Sequence, residues 1–174
     1  MQGTSHLYLI ALGSNQRHPL LGAPPAILRH AIDALEMDDI DVFTVAPIIH
    51  SLPIGPSQRK YANSAALLVS NLEPAELLQR LHSVEAHFGR KRLGQQWTAR
   101  TLDLDIILWS GGILSRENPS LAIPHPQFRQ RGFVLGPASK IAPKMVDPIT
   151  GLTLAQLQYR FLHPKPLDPS ANPA

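Results

Sequence analysis

Two aspartates in the middle of the chain have the type and spacing to bind a metal ion. Asp103 and Asp105 stand two residues apart in the stretch RTLDLDIILW (residues 100–109), where polar and apolar residues alternate. Alternation with a period of two predicts a β-strand, and residues i and i+2 of a strand point to the same face. The two carboxylates should therefore lie on one face, with Cβ atoms about 6–7 Å apart. At this distance two negative charges disfavour each other's ionised form, so a cation between them is favoured. The best candidate is magnesium with a phosphate in its coordination shell.

Arginines cluster around the same stretch. Arg100 begins it, and Arg90 and Arg92 lie a short distance upstream. Metal ions and cations neutralise the charge that spreads over a phosphoryl group during its transfer, so this set suggests phosphoryl transfer. An isolated Asp-x-Asp pair on a half-buried strand is more often solvated polar surface, and spacing alone leaves both interpretations open.

The segments around these residues alternate between strands and helices. A short apolar run predicts a strand at 7–12, and alternation predicts strands at 40–49, 61–70 and within 100–109. Helical spacing after Pro24 and Pro74 predicts helices at 24–37 and 74–88. Short helices are predicted at 134–141 and 152–161. The order β-α-β-β-α-β predicts an α+β, ferredoxin-like fold: an antiparallel sheet with helices packed on it and short C-terminal helices.

Several polar and aromatic residues in these elements allow two interpretations. Asn63 shares a predicted strand face with apolar residues, so either a backbone group or a polar ligand must satisfy its amide. Trp97 lies in a polar, glycine-containing segment, where it could pack on the sheet or close over a ligand as part of a lid. His82 is typical of an ordinary surface histidine, whereas His125, held between two prolines, suits a phosphate or base contact.

Composition limits the class of protein. The 174 residues are 44% hydrophobic and 17% charged, which indicates one globular domain, expected over residues 1–162, with a proline-rich, disordered tail over 163–174. The net charge of +3 favours anionic partners. The sequence contains no cysteine, which excludes disulfide and thiolate chemistry. No secretory signal and no apolar run of the ~20 residues that span a membrane is evident, so we expect a cytoplasmic protein.

Five sequence blocks, taken in order, resemble one family of folate enzymes. They are LGSN (12–15), FGRKR (88–92), RTLDLDI (100–106), IPHP (123–126), and RGFVLGP (131–137) followed by IAP (141–143). The chain resembles the 6-hydroxymethyl-7,8-dihydropterin pyrophosphokinase family over about residues 7–161. That family transfers pyrophosphate from ATP to the hydroxymethyl oxygen of the pterin, and AMP leaves. The resemblance therefore implies an ATP-dependent pyrophosphokinase of folate biosynthesis.

The resemblance also implies roles for individual positions. Two magnesium ions bound with ATP would be held by Asp103 and Asp105, and the implied catalytic set adds Arg90, Arg92 and Arg100. The implied ATP-binding residues are His82, Glu85, Arg92, Trp97, Arg100, Ile106, His125 and Arg131. The implied pterin-binding residues are Ser51, Leu52, Ile54, Tyr61, Asn63, Trp97 and Phe133. The pterin ring would lie between two aromatic side chains, those of Phe133 and Trp97, while the Asn63 amide would read its amide edge.

Rival functions remain to be tested. The sequence has Thr98-Ala99 where the family commonly has Gly-Pro, and Ser51-Leu52 where it usually has Thr-Pro. A phosphotransferase acting on a related heterocycle and a non-catalytic paralogue that binds ATP or pterin are therefore alternatives, although the retained aspartates and arginines argue against the second. A nucleic-acid binder of similar fold would need an aromatic RNA-binding block that this sequence lacks. We expect ATP and the pterin as substrates, no nucleic-acid or membrane partner, and a monomer.

Overall fold

A central antiparallel sheet with helices on both faces forms the structure, a computed structural model that describes residues 4–52, 60–89 and 101–164. Its helices are α1 (Pro24–Leu35), α2 (Pro74–His87), α3 (Gly132–Ile141) and α4 (Leu154–Leu162). Its strands are β1 (His6–Ser14), β2 (Ile40–Val45), β3 (Ile49–Ser51), β4 (Tyr61–Ser70), β5 (Asp103–Trp109), β6 (Leu114–Glu117) and β7 (Ser120–Ile123). A short 3-10 turn (Phe128–Gln130) precedes α3.

The strand order confirms the predicted fold. The main sheet runs β2-β4-β1-β5, β3 pairs with the beginning of β4, and all these pairs are antiparallel. This is the sheet order of two interleaved β-α-β units, the ferredoxin-like arrangement. β5 is consequently an edge strand of the sheet, which leaves its outer main-chain groups for other partners.

Both faces of the sheet are buried because β1 is apolar on both sides. Tyr8 and Ile10 face the layer formed by α1 and α2, and Leu9 and Ala11 face the layer formed by α3 and α4. An apolar strand surface must be covered on each side, so the short C-terminal helices complete the core. We call these two sides of the sheet the α2 face and the α3 face.

A bulge in β5 changes the predicted alternation. Leu9 pairs with Leu108 and Ile10 pairs with Ile106, so Ile107 is an extra residue in β5. Sequence alternation predicts Leu108 on the same face as Leu104, and that prediction is wrong. One inserted residue reverses the faces beyond it, so Leu108 packs on the α3 face.

One further local prediction was wrong, and one element was missed. The single strand predicted over 40–49 is divided, because β2 ends at Val45 and β3 begins at Ile49. Pro47 lies in this break, and proline lacks the N–H that a strand ladder needs. The hairpin formed by β6 and β7 was not predicted from the sequence.

The chain ends are described only in part. α4 ends at Leu162, and residues 165–174 lie outside the described residues, so the disordered tail stays a prediction. Within the described ranges, no helix has the length and apolar character needed to cross a membrane.

Candidate functional site

Three neighbouring strands bring an amide, a glycine and a carboxylate into one row. Gly13 of β1 pairs with Asn63 of β4 on one side and with Asp103 of β5 on the other. Asn63 shares its face with Ala65, which packs in the core on the α3 face. Because adjacent strands lie about 4.8 Å apart, the Cα atoms of Asn63 and Asp103 are about 10 Å apart across Gly13.

The second aspartate extends this row along β5. Asp105 pairs with Ala11, whose side chain also lies on the α3 face. Both aspartates are half-buried, and the intervening Leu104 is buried on the α2 face. The predicted common face of the two carboxylates is therefore confirmed.

His125 is fixed beside β5 by two main-chain contacts. Its N–H donates to the carbonyl of Ile107 at 3.0 Å, and its Nδ1 accepts from the N–H of Gln127 at 3.2 Å. Burial lowers the pKa of His125 below its ordinary value and the charge of Arg131 lowers it further, while the negative charge of Asp103 acts against the shift. A neutral ring that accepts at Nδ1 carries its proton on Nε2, so His125 can donate to a ligand from Nε2.

Arg131 and Phe133 stand at the start of α3. The Arg131 Nη2 donates to Gln127 Oε1, and its Cζ lies 6.0 Å from the centre of the Phe133 ring. Phe133 packs partly buried against the core on the α3 face. Arg131 is also close enough to affect the protonation of His125, so these two residues form a wall with a positive charge and a hydrogen-bond donor.

The opposite end of the row is formed by β3 and β4. Ser51 pairs with Tyr61, and the Asn63 Nδ2 donates to Ser51 Oγ at 2.8 Å. Asn63 is 4% exposed, whereas the neighbouring Leu52 is 74% exposed. A Cβ atom on Gly13 would lie 3.5 Å from Asn63 Oδ1. Because glycine has no side chain, the surface of the row at Gly13, which we call the floor of the row, stays open beside this amide.

Three predicted ATP-binding residues lie on the other side of β5. Glu85 of α2 is 1% exposed and accepts the Leu104 N–H at 2.8 Å. Ile106 packs in the core on the α2 face, and the half-buried His82 stands one helical turn before Glu85. Glu85 and His125 therefore both bind main-chain groups of β5, Glu85 at the Leu104 N–H and His125 at the Ile107 carbonyl.

Five predicted site residues cannot be placed in this geometry. They lie outside the described residues, and their roles stay predictions: Ile54, Arg90, Arg92, Trp97 and Arg100.

An internal ion pair near the site was not predicted from the sequence. Arg129 donates through Nε and Nη2 to the two carboxylate oxygens of Asp147, each at 2.7 Å, and Asp147 is fully buried. The pair ties the turn between His125 and Arg131 to the segment that joins α3 and α4. The sequence contains no spacing signal for it, because the partners belong to separate elements.

Comparisons with known proteins point to one family. The family model described as 7,8-dihydro-6-hydroxymethylpterin-pyrophosphokinase (HPPK) matches residues 9–143. The 2-amino-4-hydroxy-6-hydroxymethyldihydropteridine pyrophosphokinase of Synechocystis is 41% identical over 152 residues, which cover 87% of this chain and 74% of that protein. The protein of the same name from Pseudomonas aeruginosa is 38% identical over 141 residues, which cover 80% of this chain and 82% of its own.

A solved structure supports the fold. The HPPK-DHPS protein of Plasmodium falciparum superposes with a TM-score of 0.70 over 93% of this chain, at 11% sequence identity. The match covers 45% of that longer chain, so it is informative about architecture alone.

The fold and the relatives first define a class, the ATP-dependent pyrophosphokinases built on a ferredoxin-like sheet. Within that class, this chain belongs to the 7,8-dihydro-6-hydroxymethylpterin-pyrophosphokinase family. The reaction of this family is pyrophosphoryl transfer from ATP to hydroxymethyldihydropterin in folate biosynthesis.

Proposed function

We propose that this chain transfers pyrophosphate from ATP to the hydroxymethyl oxygen of 6-hydroxymethyl-7,8-dihydropterin at the row formed by Asn63, Gly13 and Asp103. The observation that carries this proposal is the strand register. It puts an amide that can pair with a heterocycle at one end, carboxylates suited to metal-bound phosphates at the other, and an open floor between them.

The two aspartates fit magnesium. Magnesium prefers oxygen ligands and is usually held by one or two carboxylates together with substrate phosphates, rather than by an all-protein cage. Among the described residues, no group of three or more His, Cys, Asp or Glu could hold a metal by itself. We assign two magnesium ions, bound with ATP, to Asp103 and Asp105; when bound, they would neutralise phosphate charge.

The ATP phosphates are assigned to the wall beside the aspartates. His125 can donate from Nε2, and Arg131 supplies a permanent positive charge. Glu85, His82 and Ile106 would contact the nucleotide across the edge of the sheet. The Ile106 side chain is 3% exposed, so its contact would be through the main chain. The predicted contributions of Arg90, Arg92, Trp97 and Arg100 add to this set.

The pterin is assigned to the other end of the row. The Asn63 amide would pair with the amide edge of the ring, and the ring would stack on Phe133. Ser51, Leu52 and Tyr61 would line this end of the pocket, together with the predicted Ile54 and Trp97.

This arrangement supports an in-line displacement. The hydroxymethyl oxygen forms a bond to the β-phosphorus while the bond between that phosphorus and the oxygen of the AMP phosphate breaks. We assign the hydroxyl proton to the Asp105 carboxylate. Arg131 and the donor at His125 balance charge on the phosphates, and they need no reorganisation because main-chain contacts and the start of α3 already hold them.

A product assay tests the proposal directly. The protein is incubated with ATP, magnesium chloride and 6-hydroxymethyl-7,8-dihydropterin, and nucleotide products are separated by chromatography. AMP that forms only when the pterin and magnesium are both present is the expected result. ADP in place of AMP would indicate single-phosphoryl transfer, and binding without any product would indicate a non-catalytic paralogue. The cytoplasmic location and the monomeric state stay predictions, the second testable by light scattering.

A further inference from the structure

The Asn63 amide is held by a side chain from a neighbouring strand. Its Nδ2 donates to Ser51 Oγ at 2.8 Å, and Asn63 itself is 4% exposed. In the ladder, Ser51 pairs with Tyr61, two residues before Asn63 in β4. Diagonal neighbours of this kind on one face lie within reach of each other's side chains, so the pairing of β3 with β4 creates this bond.

The bond has a consequence for the ligand-facing part of the amide. The terminal torsion of an asparagine side chain is broad, so an unattached amide can turn its plane. The bond to Ser51 uses one N–H and fixes that plane. The second N–H and Oδ1 then have one orientation, with Oδ1 standing 3.5 Å from the position of a Cβ on Gly13, at the floor of the row.

We propose that Ser51 is a positioning residue, whose hydroxyl orients the Asn63 amide for the pterin and contributes to affinity through Asn63. This inference rests on the proposed function, since it assumes that Asn63 reads the pterin. It adds to the role proposed above, in which Ser51 lines the pocket, because it gives the Ser51 hydroxyl a separate task. The hydroxyl of Ser51 acts on the ligand only by holding its neighbour.

A double-mutant cycle separates the two roles. The dissociation constant of 6-hydroxymethyl-7,8-dihydropterin is measured by calorimetry, with a non-hydrolysable ATP analogue and magnesium present, for the wild type, Ser51→Ala, Asn63→Ala and the double variant. Loss of one neutral hydrogen bond should raise Kd for Ser51→Ala by roughly three- to tenfold. In the Asn63→Ala background, Ser51→Ala should cause no further change, because the group that it positions is gone.

Matched variants control for side effects. Ser51→Thr keeps the hydroxyl and should bind the pterin as the wild type does. Ser83→Ala removes an exposed hydroxyl whose hydrogen bond stays within α2, and it should change nothing. The Kd of the ATP analogue should be the same in all variants, and circular dichroism checks that each of them folds.

The outcomes distinguish the inference from the function on which it rests. Equal pterin affinity of the wild type and Ser51→Ala, or additive effects in the double variant, would overturn the positioning role while leaving the pterin site in place. Failure of the wild type to bind the pterin at all would overturn the proposed function itself. Loss of pterin affinity in Ser51→Thr as large as in Ser51→Ala would also count against the inference, since the hydroxyl is retained.

Discussion

Breaking the internal ion pair between Arg129 and Asp147 should destabilise the protein strongly. Asp147 is completely buried, the Arg129 side chain is 20% exposed, and two hydrogen bonds of 2.7 Å join them. Arg129→Met would leave a buried carboxylate without its countercharge, which costs about 3–5 kcal/mol of unfolding free energy. For a chain of this size, 1 kcal/mol shifts Tm by about 2–4 °C, so the expected decrease is roughly 6–20 °C.

A second ion pair provides the control for this experiment. Arg80 and Asp39 are also joined at 2.7 Å, but the Arg80 side chain is 52% exposed. Arg80→Met should therefore cost less than about 1 kcal/mol, because water screens exposed pairs. Urea denaturation of both single variants gives the comparison. Equal losses in Arg129→Met and Arg80→Met would refute the argument from burial.

Removing the buried charge should restore part of the lost stability. Asp147→Asn removes the negative charge that Arg129→Met would leave buried without a partner. The double variant should therefore lose less unfolding free energy than the sum of the losses in the two single variants. The Arg129→Met variant should also bind ATP more weakly in calorimetry, because the turn that it anchors lies between His125 and Arg131. If the losses of unfolding free energy were additive in the double variant, a direct coupling of the two side chains would be contradicted.

The same pair predicts how stability depends on pH. Burial by itself would raise the pKa of Asp147, but hydrogen bonds from Arg129, Thr150 and the Ile149 N–H, with the charge of Arg129, outweigh it and leave the pKa below its ordinary value. The unfolded state then binds the proton first as the pH falls. The stability that Asp147 contributes should be fully present above about pH 4 and lost as the pH falls through its folded-state pKa. This assignment would be contradicted if the difference in unfolding free energy between the wild type and Asp147→Asn decreased between pH 7 and pH 5.

Three further predictions concern the site. Asp103→Asn and Asp105→Asn should each abolish AMP release. Their circular dichroism spectra should not change, since both side chains are only half-buried. Normal turnover in both variants would refute the metal assignment. Gly13→Ala should fold, because its Cβ would lie 3.5 Å from Asn63 Oδ1, an ordinary van der Waals distance. The added methyl group reduces the space at the floor of the row, so the Kd for the pterin should rise. An unchanged Kd would mean that the pterin ring binds elsewhere. His125 should titrate below its ordinary value of about 6.5 in NMR, because burial and Arg131 lower its pKa, and its protonation should cost stability as the pH falls below that value. A measured pKa above 6.5 would contradict the described surroundings.

The sequence by itself determined most of the helices and strands and the reaction class. The period of two in β5 was enough to put Asp103 and Asp105 on one face, because neighbouring residues of a strand point in opposite directions. Pro24 and Pro74 marked where two helices begin, since proline lacks only an N–H that the first turn leaves unpaired. Blocks of matched residues in the same order pointed to the family, and the family comparison confirmed it.

Only the tertiary structure decided how distant residues meet. The register of β1 with β4 and β5 set Asn63 and Asp103 on either side of Gly13, and the pairing of β3 with β4 gave Asn63 its partner Ser51. Such contacts depend on hydrogen bonds between strands far apart in sequence, and a bulge can shift them by one residue. Local periodicity contains no information about which strands become neighbours. For this reason the sequence can propose candidate groups for the site, but it cannot predict their arrangement across the sheet.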